Sequence, residues 1–305
     1  MNNQSLVSVL MNCYNSEKYL EETLISLVNQ TYLNWQLVFV DNCSTDNSNV
    51  IVDKYKRDSR VIYLKTPCHM PLGEAREYGL KWCSGDFICF LDTDDIWRSD
   101  KLERQLKFLQ NNSEILLCYS SYFLIDEKSQ ITGRRKFKSR SGDLFGYNLA
   151  NYEINFQTVM VRRKALELVS RPYFDPSLKF SPDYNLLMHI LACGQAACMN
   201  EKLVYYRKSS GSLTQKSIAL WGKESEYTYH QLDKMGILKN KSTGLQRRQA
   251  LAKIAYYKAE HCIAEDDYHG ARELLREYCC TNYKYLILYL ISYFPALWRL
   301  AHRFK

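Results

Sequence analysis

The sequence predicts an α/β fold, a mainly parallel sheet with helices on both faces, followed by a C-terminal α-helical appendage. Three observations carry that expectation. Short apolar runs at residues 6–11, 35–40, 60–65 and 87–91 are separated by segments of helix length and helix period, the alternation that builds βαβ units. Two of those runs end abruptly on acids, at Asp41 and at Asp92-Thr93-Asp94-Asp95, and open parallel sheets bind ligands beyond the C-terminal ends of their strands. From Trp221 onward the apolar spacing is helical. At 305 residues the chain exceeds one ordinary domain, and the change of pattern divides it near residue 215, into an α/β body, 1–215, and a helical region, 216–305.

Each element has a local reason. Residues 6–11 (LVSVLM) form a buried strand, and Asn15 is placed to N-cap a helix whose Leu20, Leu24, Leu27 and Val28 share one face. The strand 35–40 stops at a polar stretch, 41–46, which leads into a helix with Val50, Ile51 and Tyr55 as its apolar side. A strand at 60–65, a helix at 73–82 and a strand at 87–91 follow. Asp100 can cap a helix reaching Leu109, and strands are expected at 115–125 and 157–162. Ser181-Pro182-Asp183 has the form of a helix start, and Gly194 stops that helix after Leu191. Residues 203–206 form a last strand before the loop 209–214. Residues 268–278 resemble half of a helical-hairpin repeat, but a single copy is no array.

A composition of 46% hydrophobic and 24% charged residues excludes disorder and collagen. The cysteines number 11, an odd count without any CxxC pair, which argues against both a disulfide scaffold and a zinc site. With no secretory signal ahead of residue 5, they indicate a reducing cytoplasm. The six histidines form no ligand spacing. The formal charge of +8 is unevenly spread. A basic knot, Lys128, Arg134, Arg135, Lys136, Lys138 and Arg140, contains no acid. Beyond Cys280 stand Lys284, Arg299, Arg303 and Lys305, again with no acid. Such surpluses suit nucleic acid, anionic lipid or a phosphorylated substrate. The uncharged stretch 285–298 is interrupted by Pro295 and is shorter than the roughly 20 residues a membrane span needs. It fits either an interfacial helix or one packed on the protein's own core.

The chain has no GxGxxG after its first strand and no GxxxxGK[ST], which disfavours dinucleotide and P-loop chemistry. Three acids within Asp92–Asp95 suit a hard cation that also takes phosphate oxygens, or simply a turn and helix cap. Context decides between them. The pieces Val7-Ser-Val-Leu-Met-Asn-Cys-Tyr-Asn15, Leu27-Val-Asn-Gln-Thr-Tyr32, Asp41-Asn-Cys-Ser-Thr-Asp46, Gly73-Glu-Ala-Arg76 and Phe90-Leu-Asp-Thr-Asp-Asp95 stand in this order within residues 5–110. In that segment the chain resembles the family 2 glycosyltransferases of the GT-A fold, a Rossmann-like α/β architecture, and the likeness continues more loosely to about residue 215.

The resemblance implies roles residue by residue. Asp41 matches the acid that contacts the nucleotide base of a nucleotide sugar, although Asn42 and Cys43 replace the usual Asp and Gly. Asn12 and Tyr14, beside Met11, lie where the first strand's loop borders the nucleotide. Arg76 matches the arginine near the donor phosphates, with Glu77 in place of the usual Asn. Asp92 and Asp94 match the DxD pair that holds Mn²⁺ or Mg²⁺, Asp94 as the direct ligand and Asp95 in support. Asp183 matches the catalytic base, with Pro182 where a first acid is common. Arg207 and the loop 209–214 resemble the stretch that closes over donor phosphates.

These roles describe an inverting, non-processive, metal-dependent hexosyltransferase; the absence of a QxxRW pattern after Asp183 argues against a processive enzyme. The expected donor is a UDP-sugar. The expected acceptor is a saccharide on a polyprenyl diphosphate, in bacterial surface-polysaccharide synthesis. The expected location is cytoplasmic, peripheral on the inner face of the cell membrane through the C-terminal helix. Nucleic acid is disfavoured because acids at the strand ends repel phosphate backbones. Two alternatives stay open: a catalytically degenerate nucleotide-binding module of the same fold, and a sugar nucleotidyltransferase.

Overall fold

The structure, a computed structural model, describes residues 4–209 and 218–294. The chain divides into two compact units. The first comprises residues 1–144 and 153–209, and the second residues 145–152 and 210–305. The segment 145–152 lies within the body as read from sequence, yet it belongs to the helical unit.

The first unit is built on one sheet. Its strands are β1 (Val7–Cys13), β2 (Trp35–Asp41), β3 (Val61–Lys65), β4 (Phe87–Phe90), β5 (Ile96–Trp97), β6 (Ile115–Ile125), β7 (Ile131–Arg135), β8 (Arg140–Gly142), β9 (Met160–Arg162) and β10 (Gln195–Arg207). The order is β3-β2-β1-β4-β9-β6-β10-β5, with β7 added to β6 and β8 to β10. β1, β2, β3 and β4 run parallel, β6 and β10 run parallel to each other, and β9 is antiparallel to both its neighbours, β4 and β6. Helices α1 (Glu17–Val28), α2 (Ser48–Asp53), α3 (Leu72–Leu80), α4 (Lys101–Asn111), α6 (Arg163–Glu167) and α7 (Pro182–Cys193) are the connections between strands. α5 (Phe145–Ala150) is the short helix that belongs to the other unit.

Topology puts the site where β1 has β2 on one side and β4 on the other, because the chain reverses its direction of progress across the sheet there. Asp41 ends β2 and Asp92 follows β4. Strands β1, β2 and β4 are buried almost throughout, as parallel strands covered on both faces must be. Leu20, Leu24 and Leu27 of α1 join Val9, Met11 and Phe39 in the core, each such burial stabilising by about 1.5–3 kcal/mol.

Three local expectations are corrected. Ser16, not Asn15, is the N-cap of α1; Asn15 has a left-handed φ of 48° and its side chain accepts from Thr45 N. The strand expected at 157–162 begins only at Met160, because Asn155 caps a 3-10 turn, Phe156–Thr158, ahead of it. The strand expected at 203–206 is the end of β10, which starts at Gln195.

The second unit contains α5, α8 (Ile218–Lys234), α9 (Ile237–Lys241), α10 (Gly244–Ala264), α11 (Tyr268–Leu275) and α12 (Tyr283–Ile291). A capping box, Thr243 with Gln246, starts α10. Ala259, Ile263, Ala271, Leu275 and Leu288 form a small core among α10, α11 and α12. No helix of the described residues is long and apolar enough to cross a membrane. The expected loop 209–214 after Ser209, and residues 295–305 with Arg299, Arg303 and Lys305, lie outside the described residues.

Candidate active site

Two loops at the ends of β1 and β2 are knitted together. Glu17 N donates to Asp46 and Ser16 N to Ser48, which occupies two free amides at the start of α1. Asn47 returns two bonds to the Glu17 carboxylate. Asp41 is buried here; one carboxylate oxygen accepts from Ser44 N at 2.8 Å and the other from the Tyr63 hydroxyl at 2.7 Å. Burial and the adjoining Asp41 push the Tyr63 hydroxyl well above its ordinary range, so it stays a donor.

Asn42, where the family pattern has an acid, pins the next loop. Its amide donates to Met70 O at 2.8 Å and accepts from Met70 N at 3.0 Å. That loop presents His69, whose ring lies against Tyr14 with centroids 4.1 Å apart, while Tyr14 remains 48% exposed. The pair forms an aromatic wall beside Asn42, whose carbonyl oxygen lies 3.2 Å from His69 Nδ1. The Asn12 amide nitrogen is buried with no hydrogen-bond partner.

The acid turn after β4 is braced from α1. Thr23 donates to Thr93 O at 3.0 Å, Trp97 N donates to the Ser26 hydroxyl at 3.2 Å, and Gln30 donates to Arg98 O at 2.8 Å. Asp92 is clamped twice by Gln157: its N–H donates to Oε1 at 2.6 Å, and the Gln157 amide donates to its carboxylate. The other Asp92 oxygen pairs with Arg76 at 3.1 Å. Arg76 is 5% exposed, with Phe156 and Phe174 against its guanidinium.

Helix α7 brings Asp183 to the same place. Gly73 at the start of α3 packs closely against it, since a Cβ there would stand 3.3 Å from Pro182 Cβ. Glu77, at the family's Asn position, accepts from Tyr173 N at 3.0 Å and Phe174 N at 3.2 Å, which holds the segment leading into α7. Asp183 is half-buried and in the first turn of its helix. Burial lifts its carboxyl above the ordinary range, Arg76 pulls the other way, and the charge of Asp92 adds to the lift. Asp183, Arg76 and Asp92 thus share one electrostatic neighbourhood.

Burial first, and the charge of Asp92 second, push the Asp94 carboxyl up to about 6. Asp95 is 1% exposed, and burial followed by the Asp94 charge raises its carboxyl well above the ordinary range. One of its oxygens accepts from Arg207 N at 2.8 Å, and the other is buried without a partner. A desolvated pocket with this surplus of carboxylate is one that a divalent cation relieves. Among the described residues, however, no three acid, histidine or cysteine side chains gather as a metal cage. The donor set therefore fits a cation that takes one or two carboxylates and completes its shell with substrate oxygens, as Mg²⁺ commonly does.

Arg207 corrects an expectation. Its side chain is 0% exposed and its donors are engaged within the protein: Nε with Asp94 O, one terminal nitrogen with Asp126 O and the Ser129 hydroxyl, the other with Glu22. It lies over the Tyr19 ring. A guanidinium so consumed positions the acid turn rather than reaching for donor phosphates. Sequence reasoning missed Gln157, Glu22, Tyr63 and the α1 braces. Only Gln30 had a signal, as part of the Leu27–Tyr32 motif.

The glycosyl transferase family 2 profile matches residues 8–169. The Escherichia coli UDP-Glc:alpha-D-GlcNAc-diphosphoundecaprenol beta-1,3-glucosyltransferase WfaP is 30% identical over 272 residues, 87% of this chain and 99% of that protein. The putative teichuronic acid biosynthesis glycosyltransferase TuaG of Bacillus subtilis is 30% identical over 241 residues, 77% of this chain and 91% of its own. Among solved structures, S. aureus TarS 1-349 in complex with UDP-GlcNAc aligns with a TM-score of 0.60 over 98% of this chain and 93% of that one. At 18% identity that likeness is one of fold.

Proposed function

The chain belongs to glycosyl transferase family 2 and is a glycosyltransferase, and from that premise we propose that it transfers a hexose, with inversion and one sugar at a time, from a UDP-sugar to a saccharide on a polyprenyl diphosphate in surface-polysaccharide synthesis. The observation that carries the reading is the meeting of Asp183, Arg76 and Asp92 beside the Asp94 turn. A UDP donor is supported by the substrate named for the WfaP relative, and the Tyr14–His69 wall, the unpaired Asn12 amide and Asp41 line the place its nucleotide would take. The lipid-linked acceptor is supported by the substrates named for the WfaP relative.

Asp183 is the base. It takes the proton of the acceptor hydroxyl as that oxygen bonds to the anomeric carbon, while the bond from that carbon to the UDP diphosphate breaks and its electron pair leaves on the diphosphate. A carboxyl lifted by burial is better matched to that proton than an ordinary one. Arg76 lies where it can offset charge on the leaving group and, through Asp92, orient the acid turn. Asp94 and Asp92, with Asp95 in support, would hold Mn²⁺ or Mg²⁺, which would offset the charge developing on the diphosphate.

The protein works at the inner face of the cell membrane in this reading. Leu290 is 51% and Phe294 58% exposed at the end of α12, the kind of surface that seats in a lipid interface. A panel of nucleotide sugars with Mn²⁺, scored by nucleotide release, tests the donor: UDP-sugars turn over and other bases do not. Activity that survives excess chelator overturns the metal. Flotation with liposomes tests the membrane claim: the full chain floats, a chain ending before Lys284 stays in solution, and equal behaviour overturns it.

A further inference from the structure

Part of the basic knot lies in a hairpin strand whose place in the fold the transferase reading leaves unused: Arg134 and Arg135 end β7, and Lys136 and Lys138 follow it. β7 pairs antiparallel with the C-terminal half of β6, with Arg135 opposite Tyr122 and Arg134 opposite Phe123. Arg134, Arg135, Lys136 and Lys138 are exposed. Nearby acids do not compensate them: Glu127 pairs with Lys18 at 2.7 Å, and Glu153 takes Arg140. Among the described residues no acid lies within ion-pairing distance of the four.

This strand is fixed to the acid turn through one buried side chain. The Arg207 guanidinium donates to Asp126 O at 2.9 Å and the Ser129 hydroxyl at 3.0 Å, in the turn before β7, and to Asp94 O at 2.8 Å. The Arg207 N–H donates to Asp95. A second link runs through Tyr122, which has Arg135 beside it and packs on Phe137 and Tyr206 at 6.1 and 5.9 Å. Uncompensated cations thus stand at a set place next to a carboxylate-rich site. An acceptor carrying phosphate is repelled by those carboxylates, and a rim of cations on one flank offsets this and sets the direction of approach.

We propose that the exposed face of this hairpin, centred on Arg135, docks the diphosphate of the acceptor. The proposal rests on the transferase reading above. The contact places phosphate beside the acid turn without occupying it.

The test uses the full chain and two acceptors with the same sugar, one on a lipid diphosphate and one on an uncharged alkyl glycoside. Arg135→Ala/Lys136→Ala/Lys138→Ala is expected to lower the ratio of kcat/KM for the first over the second by about tenfold or more. Added salt is expected to erode the same ratio in the wild type. An unchanged ratio, or an equal fall on both acceptors, overturns the proposal. Loss of flotation with anionic phospholipid vesicles at an unchanged ratio assigns the surface to lipid headgroups and also overturns it. UDP release from UDP-sugars in the presence of the uncharged acceptor separates the two readings. If the wild type shows none with either acceptor, the transferase reading fails and the proposal falls with it; if it persists while the ratio stays fixed, only the hairpin assignment fails.

Discussion

A carboxylate that removes a proton from a sugar hydroxyl is most effective when its pKa is lifted toward neutrality, and burial does this to Asp183. Asp183→Asn keeps the shape and removes the proposed base, so kcat is expected to fall by about 10²–10⁴ while UDP binding, read by calorimetry, persists. Asp94 gives the pH dependence. Its carboxyl moves from 3.8 to about 6 in the folded protein. The folded state therefore binds the extra proton between those values, and that stabilisation is present below the lower value and lost as pH rises through about 6. Metal-free protein is expected to melt at a lower temperature at pH 7 than at pH 4.5, with Asp94→Asn flattening the difference. Donor turnover runs the opposite way and rises over the same window. In the proposed reaction Gln157 acts through Asp92, by the two bonds of its side-chain amide. Gln157→Ala is expected to cost about 10–100-fold in kcat/KM or cation affinity, the usual effect of freeing an oriented ligand. A change in Mn²⁺ concentration for half-maximal rate distinguishes this from loss of fold.

At the scale of elements, α3 holds Arg76 over the strand ends, and Gly79, one turn along, lets it lie there. A Cβ on Gly79 would be 2.5 Å from Val40 Cγ2 and 2.6 Å from Leu10 Cδ1. Gly79→Val is expected to cost about 1–3 kcal/mol by overpacking, and by lifting α3 to raise KM for the donor; denaturant melts and donor titrations check the two halves. The elements legible in the sequence are those whose residues state their own burial. β1, β2, β4 and β6 are apolar runs, and α7 opens with Ser181-Pro182-Asp183. The others fail for physical reasons. β7 is exposed and charged, so its strand character comes from pairing with β6. β5 is only two residues and exists because β10 is beside it. The first half of β10, with two alanines and one cysteine, has no β-branched residue to mark it.

For the molecule as a whole, charge and cysteine are sorted by place. All eleven cysteines are free, and Cys13, Cys83, Cys89, Cys118 and Cys198 are buried as small apolar groups. The melting temperature is therefore expected to be unchanged by a reductant, with eleven thiols titrating in denaturant; fewer thiols in protein kept from air would contradict this. Positive charge gathers on the β7 hairpin and in the sequence beyond Cys280, while the acids that matter crowd the ends of β2 and β4 and the start of α7.

The sequence by itself determined the alternation of strand and helix, the two acid-tipped strands and the family. Each of these is written in contiguous residues, as an apolar period or as a motif such as Asp92–Asp95. Only the tertiary structure decided which polar groups act on which. Gln157 reaches Asp92 across 65 positions, Arg207 reaches Glu22 across 185, and Glu77 holds Tyr173 across 96. Bonds of that span leave no period in the chain. They form because burying the sheet forces distant polar side chains to find partners away from water, and in satisfying one another they fix the acids in place.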